Sequence, residues 1–91
     1  MAIIAIFELT GMTQQQYDQT IQGLDAAGLG TPNGRVYHTA SKADPGTLII
    51  DVWESEELLG KFAESLIPIL TATGATPVEP RIIPIHNIIA P

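Results

Sequence analysis

The spacing of apolar residues changes along the chain, and short polar turns separate the resulting segments. Residues 2–9 are rich in isoleucine and end at a Thr-Gly turn, which predicts a first strand. Thr13 and Gln16 have the spacing of a capping box, and apolar residues then recur at helical intervals. Gly28 stands where a Schellman motif would end this helix. The pattern therefore predicts a strand followed by a helix over about 14–27.

A β-hairpin, a second helix and a last strand follow. Residues 35–41 and 47–53 carry β-favouring residues on either side of an Asp-Pro-Gly turn, which predicts two antiparallel strands. Ser55 is placed to cap a helix, and Pro68 is expected to break or kink that helix because proline has no amide proton. Residues 81–89 are the last predicted strand.

The order βαββαβ predicts a single α+β domain over residues 1–91 with a ferredoxin-like arrangement. In that arrangement a four-stranded antiparallel sheet of order 4-1-3-2 carries both helices on one face. Pro84 agrees, because proline belongs on an edge strand and strand four is an edge. The first and last strands place isoleucine on both faces, so both faces need cover. We expect a homodimer that packs sheet face against sheet face.

Composition and charge exclude several classes of protein. The net charge is −6 and the four Lys and Arg residues are scattered, which argues against binding to nucleic acid or an anionic membrane. The absence of cysteine excludes disulfides, thiolate metal sites and cysteine nucleophiles. The apolar N-terminus lacks the basic region and cleavage site of a signal peptide, and no apolar run reaches the ~20 residues of a membrane span. The expected location is cytoplasmic.

The sequence contains no metal-binding spacing such as H-x-H, HExxH or Asp-x-Asp. It also has neither a glycine-rich phosphate loop nor a GxSxG nucleophile motif. We therefore expect neither a metal nor a cofactor.

His38 and Asp51 are the candidate catalytic pair. Asp51 is an acid inside an otherwise apolar strand, and a buried carboxylate needs a hydrogen-bond donor. His38 lies across the predicted hairpin from Asp51 or one residue off, and such a pair can transfer protons near neutral pH. In the alternative interpretation, Asp51 is a structural partner of Arg35, Arg81 or a backbone amide, and His38 is also structural.

Other residues are candidates for contact with a substrate. His86 would be a second polar contact, and Glu8, near the end of the first strand, either reaches the pocket or meets solvent. Each aromatic residue also suits ordinary core packing. The aromatic side chains that could line a pocket are Trp53, Phe62, Tyr37 and Tyr17.

Three segments carry a family resemblance: Asp51-Val52-Trp53-Glu54-Ser55-Glu56-Glu57, Gly34-Arg35-Val36-Tyr37-His38 and Pro84-Ile85-His86-Asn87. With the order of elements, they make nearly the whole chain similar to the dimeric α/β-barrel superfamily that includes the antibiotic biosynthesis monooxygenase-like proteins. The resemblance implies two sheets packed back to back in a dimer, and a small pocket between each sheet and its helices. Where a histidine often follows the tryptophan of oxygenase-like members, this chain carries Leu59, Gly60 and Phe62.

The resemblance and the candidate residues together lead us to expect a small-molecule pocket protein. It would be a cofactor-independent enzyme of monooxygenase-, cyclase- or isomerase-like type, performing acid-base chemistry on a small apolar or aromatic substrate. The alternative is a non-catalytic ligand-binding or structural dimeric module. Metal-free oxygenation of an electron-rich aromatic molecule is a third hypothesis.

Overall fold

The computed structural model describes residues 1–90, and over that range it has the predicted order of elements, βαββαβ. The sheet is antiparallel with the order β2-β3-β1-β4, which reads 4-1-3-2 from the β4 edge. Neither helix in these residues is long and apolar enough to cross a membrane. The elements are β1 (Ile3–Leu9), α1 (Gln14–Ala26), β2 (Arg35–Lys42), β3 (Thr47–Trp53), α2 (Glu56–Ala72) and β4 (Arg81–Pro84).

Helix α1 begins and ends with the predicted capping motifs. The hydroxyl of Thr13 accepts from the Gln16 amide at 3.1 Å, and the Gln16 side chain accepts from the Thr13 amide at 3.0 Å. At the other end Gly28 has a φ of 76°, and the Leu29 amide donates to the Leu24 carbonyl at 2.8 Å. These bonds form the capping box and the Schellman motif. They confirm the predicted bounds of α1 to within one residue.

The predicted break in the second helix is wrong. Helix α2 continues through Pro68 to Ala72. Proline has no amide proton to donate to the carbonyl of Glu64, one turn earlier. Glu64 and Pro68 are both exposed, so water can satisfy that carbonyl. The hydroxyl of Thr71 also donates to the carbonyls of Ile67 and Pro68, at 2.9 and 3.1 Å. One proline on the outer side of a helix is therefore tolerated here.

The last strand is shorter than predicted, because β4 ends at Pro84 rather than near residue 89. Antiparallel pairing places Pro84 opposite Ile3, where β1 begins. One further bond follows, from the Ile85 amide to the Ala2 carbonyl at 2.9 Å. The described pairing of β4 with β1 therefore ends level with the first residues of β1.

Both helices pack on the same face of the sheet. The buried core on that face consists of Ile3, Ala5, Leu24, Trp53, Leu59 and Phe62. The opposite face, called here the open face, also carries a row of apolar side chains, as the sequence predicted for β1. Tyr37 and Ile50 on this face are 51% and 37% exposed. The apolar residues of the open face are Ile4, Ile6, Tyr37, Leu48, Ile50, Val52 and Ile83.

A β-bulge at Val36 changes which side chains of β2 face the helices. Arg35 lies opposite Trp53, and His38 lies opposite Asp51. The two β3 residues are two positions apart, whereas the two β2 residues are three apart and would point to opposite faces of a regular strand. The extra residue in β2 brings Arg35 and His38 to the same face. This face is the one that the helices cover.

Candidate functional site

Four side chains form a continuous hydrogen-bonded series between the sheet and helix α1. Nδ1 of His38 lies 2.6 Å from Oδ1 of Asp51, and Nε2 of His38 lies 2.7 Å from the hydroxyl of Tyr17. The indole N–H of Trp53 donates to Oδ2 of Asp51 at 3.2 Å. We call Tyr17, His38, Asp51 and Trp53 the polar network.

The local structure explains how these four side chains meet. Asp51 and Trp53 are two residues apart in β3 and so share a face. The hairpin register places His38 directly opposite Asp51, which resolves the one-residue ambiguity of the sequence. The capping box fixes the start of α1, and Tyr17 then lies one turn into the helix with its ring towards the sheet. Three elements thus supply the four members, α1 and β2 one each and β3 two.

The hydrogen-bond partners in the network favour one arrangement of its protons. Asp51 is only 4% exposed, and its two oxygens contact two ring nitrogens. An ionised carboxylate only accepts, so Nδ1 of His38 carries a proton and the indole N–H fills the other oxygen. In the neutral ring, Nε2 of His38 is then the acceptor for the Tyr17 hydroxyl.

Tyr17 is held in its protonated form. Burial raises the pKa of its hydroxyl above the ordinary 10.0; the nearby Arg35 charge opposes this rise, whereas Asp51 and Asp18 add to it. The phenol and imidazole rings are within 3° of parallel, with centroids 6.0 Å apart. Because the hydroxyl meets Nε2 at 2.7 Å, the rings lie end to end rather than face to face. The hydroxyl of Tyr17 can therefore donate directly to His38.

The polar network opens into an apolar cavity of about 200 Å³ between the sheet and the helices. Tyr17, His38 and Asp51 are among its lining residues. A cavity of ~150 Å³ already accepts benzene in an engineered protein, so this one has room for a single aromatic ring with a small substituent. The apolar walls include Phe7, Ile21, Leu24, Leu59, Phe62 and Leu66.

Arg35 also lines the cavity. Its Nη2 donates to the carbonyl of Gly30 at 3.0 Å, and its guanidinium lies 6.0 Å from the centroid of the Phe62 ring. That distance is at the outer limit of a cation–π contact. Arg35 therefore packs beside the apolar wall of the cavity and brings a positive charge to it.

The structure brings His38, Asp51 and Phe62 together at the cavity, as the sequence predicted. Trp53 is completely buried and contacts Asp51 from behind, so it supports the acid rather than forming a wall. Asp51 contacts neither Arg35 nor Arg81 in residues 1–90, in contrast to the structural alternative; its partners are His38 and Trp53.

Three predicted contact residues lie outside the cavity. Tyr37 is adjacent to His38 in β2 and so points to the open face, where it is exposed. Glu8 alternates with inward-facing neighbours in β1 and is exposed on that same face. His86 follows the end of β4 and is exposed. We therefore remove these three residues from the site.

Sequence reasoning missed the polar role of Tyr17 and the position of Arg35. Tyr17 was expected only as a possible wall, yet a buried tyrosine hydroxyl needs a partner, and that need was a usable signal. No sequence signal predicted the bulge at Val36 that turns Arg35 inwards. Bulges of this kind occur often next to active sites.

Within residues 1–90, no group of three or more His, Asp or Glu side chains is arranged to hold a metal ion. Comparisons with protein-family models, with curated proteins and with solved structures found no match for this chain. The geometry of the polar network and its cavity is therefore the basis on which a function is proposed.

Proposed function

We propose that this chain is a cofactor-independent enzyme that performs acid-base chemistry on a small apolar or aromatic substrate. The supporting observation is the Tyr17–His38–Asp51 series, which ends in an apolar cavity large enough for one ring. A hydroxyl on an imidazole that is in turn oriented by a carboxylate is an arrangement suited to proton transfer. Of the types expected from the sequence, the isomerase- and cyclase-like ones need nothing more than such a transfer.

The proposed step moves one proton from the substrate to His38. The substrate presents an acidic C–H to the oxygen of Tyr17, and this proton binds the oxygen while the hydroxyl's own proton passes to Nε2 of His38. The electron pair of the broken C–H bond stays on the substrate as an enolate. The imidazolium keeps its Nδ1 proton on Asp51, whose carboxylate stabilises the new charge. Return of the proton to another atom completes an isomerisation.

The apolar walls strengthen this chemistry. Charges and dipoles interact more strongly where water is excluded, so the Asp51 carboxylate acts on His38 with little screening. The indole N–H of Trp53 holds the second carboxylate oxygen and thereby fixes the direction of the first. Trp53 is thus proposed as a positioning residue.

Hydrogen–deuterium exchange tests the proposal without knowledge of the natural substrate. Small aromatic ketones with enolisable C–H groups are incubated in D2O with the protein, and NMR follows the loss of the C–H signal. We expect the wild-type protein to accelerate exchange, and His38→Gln to lower the rate by about 10²–10⁴-fold because the base is removed. Tyr17→Phe is also expected to lower it, since the relay is interrupted.

His86→Gln is the matched control, because it removes the chain's other histidine outside the cavity. It is expected to exchange at the wild-type rate. Exchange that is no faster than in buffer, or that is equally fast in His38→Gln, would contradict the proposal.

A second candidate function is a non-catalytic binding module. The observation that favours it is that every buried side-chain polar atom in residues 1–90 has a hydrogen-bond partner, as in a purely structural network. Tyr17 and His38 satisfy each other in the absence of a ligand. A ligand that binds the cavity while no carbon acid exchanges would support this second candidate.

We further propose that the chain forms the homodimer of a dimeric α/β barrel through the open face. An apolar row on a sheet face that neither helix covers supports this assembly. Native mass spectrometry should give twice the 9.7 kDa chain mass. Ile50→Lys should give monomer because it would bury a charge, whereas Gln22→Lys on exposed α1 should remain dimeric. A monomeric wild-type protein would contradict the dimer.

A further inference from the structure

Arg35 places a positive charge at an apolar cavity without a carboxylate partner. Among residues 1–90 the one ion pair within 4.0 Å is His38–Asp51, so no carboxylate oxygen comes that close to the Arg35 guanidinium. Its hydrogen bond to a protein acceptor is to the neutral carbonyl of Gly30. A guanidinium has five N–H donors in a planar fork, so most of them remain available to a ligand.

The bulge at Val36 aims this charge at the same space as the polar network. Without the extra residue, Arg35 and His38 would lie on opposite faces of β2. Both line the cavity, and the guanidinium is close enough to Tyr17 to oppose the rise in its pKa. The geometry of β2 thus brings a cation beside a proton-transfer group.

The other charges at the cavity do not neutralise this arginine. Asp51 accepts from His38 and Trp53 with its two oxygens and makes no ion pair with the guanidinium. Glu79 lines the cavity too, but it is exposed to solvent and makes no ion pair with Arg35. An anionic ligand would therefore meet a cation that has no ion-pair partner among the described residues.

We infer that Arg35 is the anion-binding residue of this cavity and that its ligands are small aromatic or apolar carboxylic acids. Binding of such acids is independent of catalysis, but their role as substrates rests on the proposed function. The substrate would then be a carboxylic acid of this kind with an enolisable C–H. The guanidinium binds the carboxylate through paired N–H groups, and the ring lies among the apolar walls. Tyr17 lines the same cavity, so the inference requires the acidic C–H of the bound acid to face its hydroxyl.

Paired probes of equal size and different charge test the inference. Benzoate and benzamide are titrated separately into the protein at neutral pH, and binding is read from NMR shifts of cavity residues and from the fluorescence of Trp53. Trp53 is the chain's single tryptophan and lies behind Asp51. We expect benzoate to bind about tenfold or more tightly than benzamide, because a charged hydrogen-bonded pair forms only with benzoate.

Substitutions of Arg35 identify the source of this preference. Arg35→Gln should bring the two affinities to within about twofold by weakening benzoate alone, whereas Arg35→Lys should keep part of the preference because the charge remains. Lys61→Gln is the matched control, since Lys61 is an exposed cation on α2 that is not among the lining residues of the cavity. Equal affinities in the wild-type protein, an unchanged preference in Arg35→Gln, or no binding of either probe would overturn the inference.

The two proposals fail separately. Exchange of uncharged ketones needs no carboxylate, so catalysed exchange without a benzoate preference would reject the role of Arg35 and leave the proton relay standing. A benzoate preference that Arg35→Gln removes, without exchange of any ketone, would keep the anion site and reject the relay.

Discussion

Asp51→Asn should leave the protein folded and reduce proton exchange by about 10³–10⁴-fold. An asparagine can still accept from the indole N–H of Trp53, but its amide group then donates towards Nδ1 of His38. The imidazole would respond by moving its proton to Nε2, where it donates to Tyr17. No base then faces the cavity. A comparable carboxylate-to-amide change in a serine protease triad costs ~10⁴-fold by the same change of tautomer.

Asp51→Leu separates this effect from stability. Leucine leaves the N–H groups of His38 and Trp53 without an acceptor in a buried site, so the free energy of unfolding should fall by about 3 kcal/mol. Asp51→Asn should lose much less, because each donor keeps a partner. Urea unfolding at a single protein concentration compares the two variants. Equal losses in both, or wild-type exchange by Asp51→Asn, would contradict the proposed network.

Gly46→Ala should lower the free energy of unfolding by about 3 kcal/mol or more. Gly46 has a φ of 88°, a backbone conformation that costs a residue with a side chain ~1–3 kcal/mol. A Cβ at this position would also collide with the backbone of Leu9 and Thr10, where the β2–β3 hairpin approaches the end of β1. Backbone cannot move aside as a side chain can, so both costs apply.

Gly60→Ala is the matched control in the same unfolding experiment. Gly60 lies inside α2, and a Cβ there has no neighbouring atom within 4 Å. Alanine should therefore stabilise the helix, by ~0.5–1 kcal/mol. A loss of less than about 1 kcal/mol in Gly46→Ala would contradict the close packing of the hairpin against β1.

The sequence was most informative where local chemistry determines structure. The capping box at Thr13, the Schellman glycine Gly28 and the cap Ser55 are confirmed because each acts through hydrogen bonds within a few residues. The contact between His38 and Asp51 could be predicted because a hairpin allows only a few registers between its two strands. Local rules thus predicted the elements and half of the polar network.

The remaining features depend on contacts between distant parts of the chain. The Tyr17–His38 bond requires the docking of α1 on the sheet, which no local pattern specifies. The inward position of Arg35 requires a bulge at a valine, without the glycine that marks some bulges. The end of β4 at Pro84 coincides with the start of its partner β1 at Ile3, and the register between these two distant strands cannot be read from the sequence of β4.

The protonation of the His38 ring is the most direct test of the polar network. NMR of the protein with ¹⁵N-labelled histidine distinguishes the two neutral tautomers, and His86→Gln removes the signals of the only other histidine. The network predicts that Nδ1 carries the proton in the wild-type protein and that Asp51→Asn moves it to Nε2. A wild-type ring with its proton on Nε2 would contradict the relay, because Nε2 could then accept no proton from Tyr17.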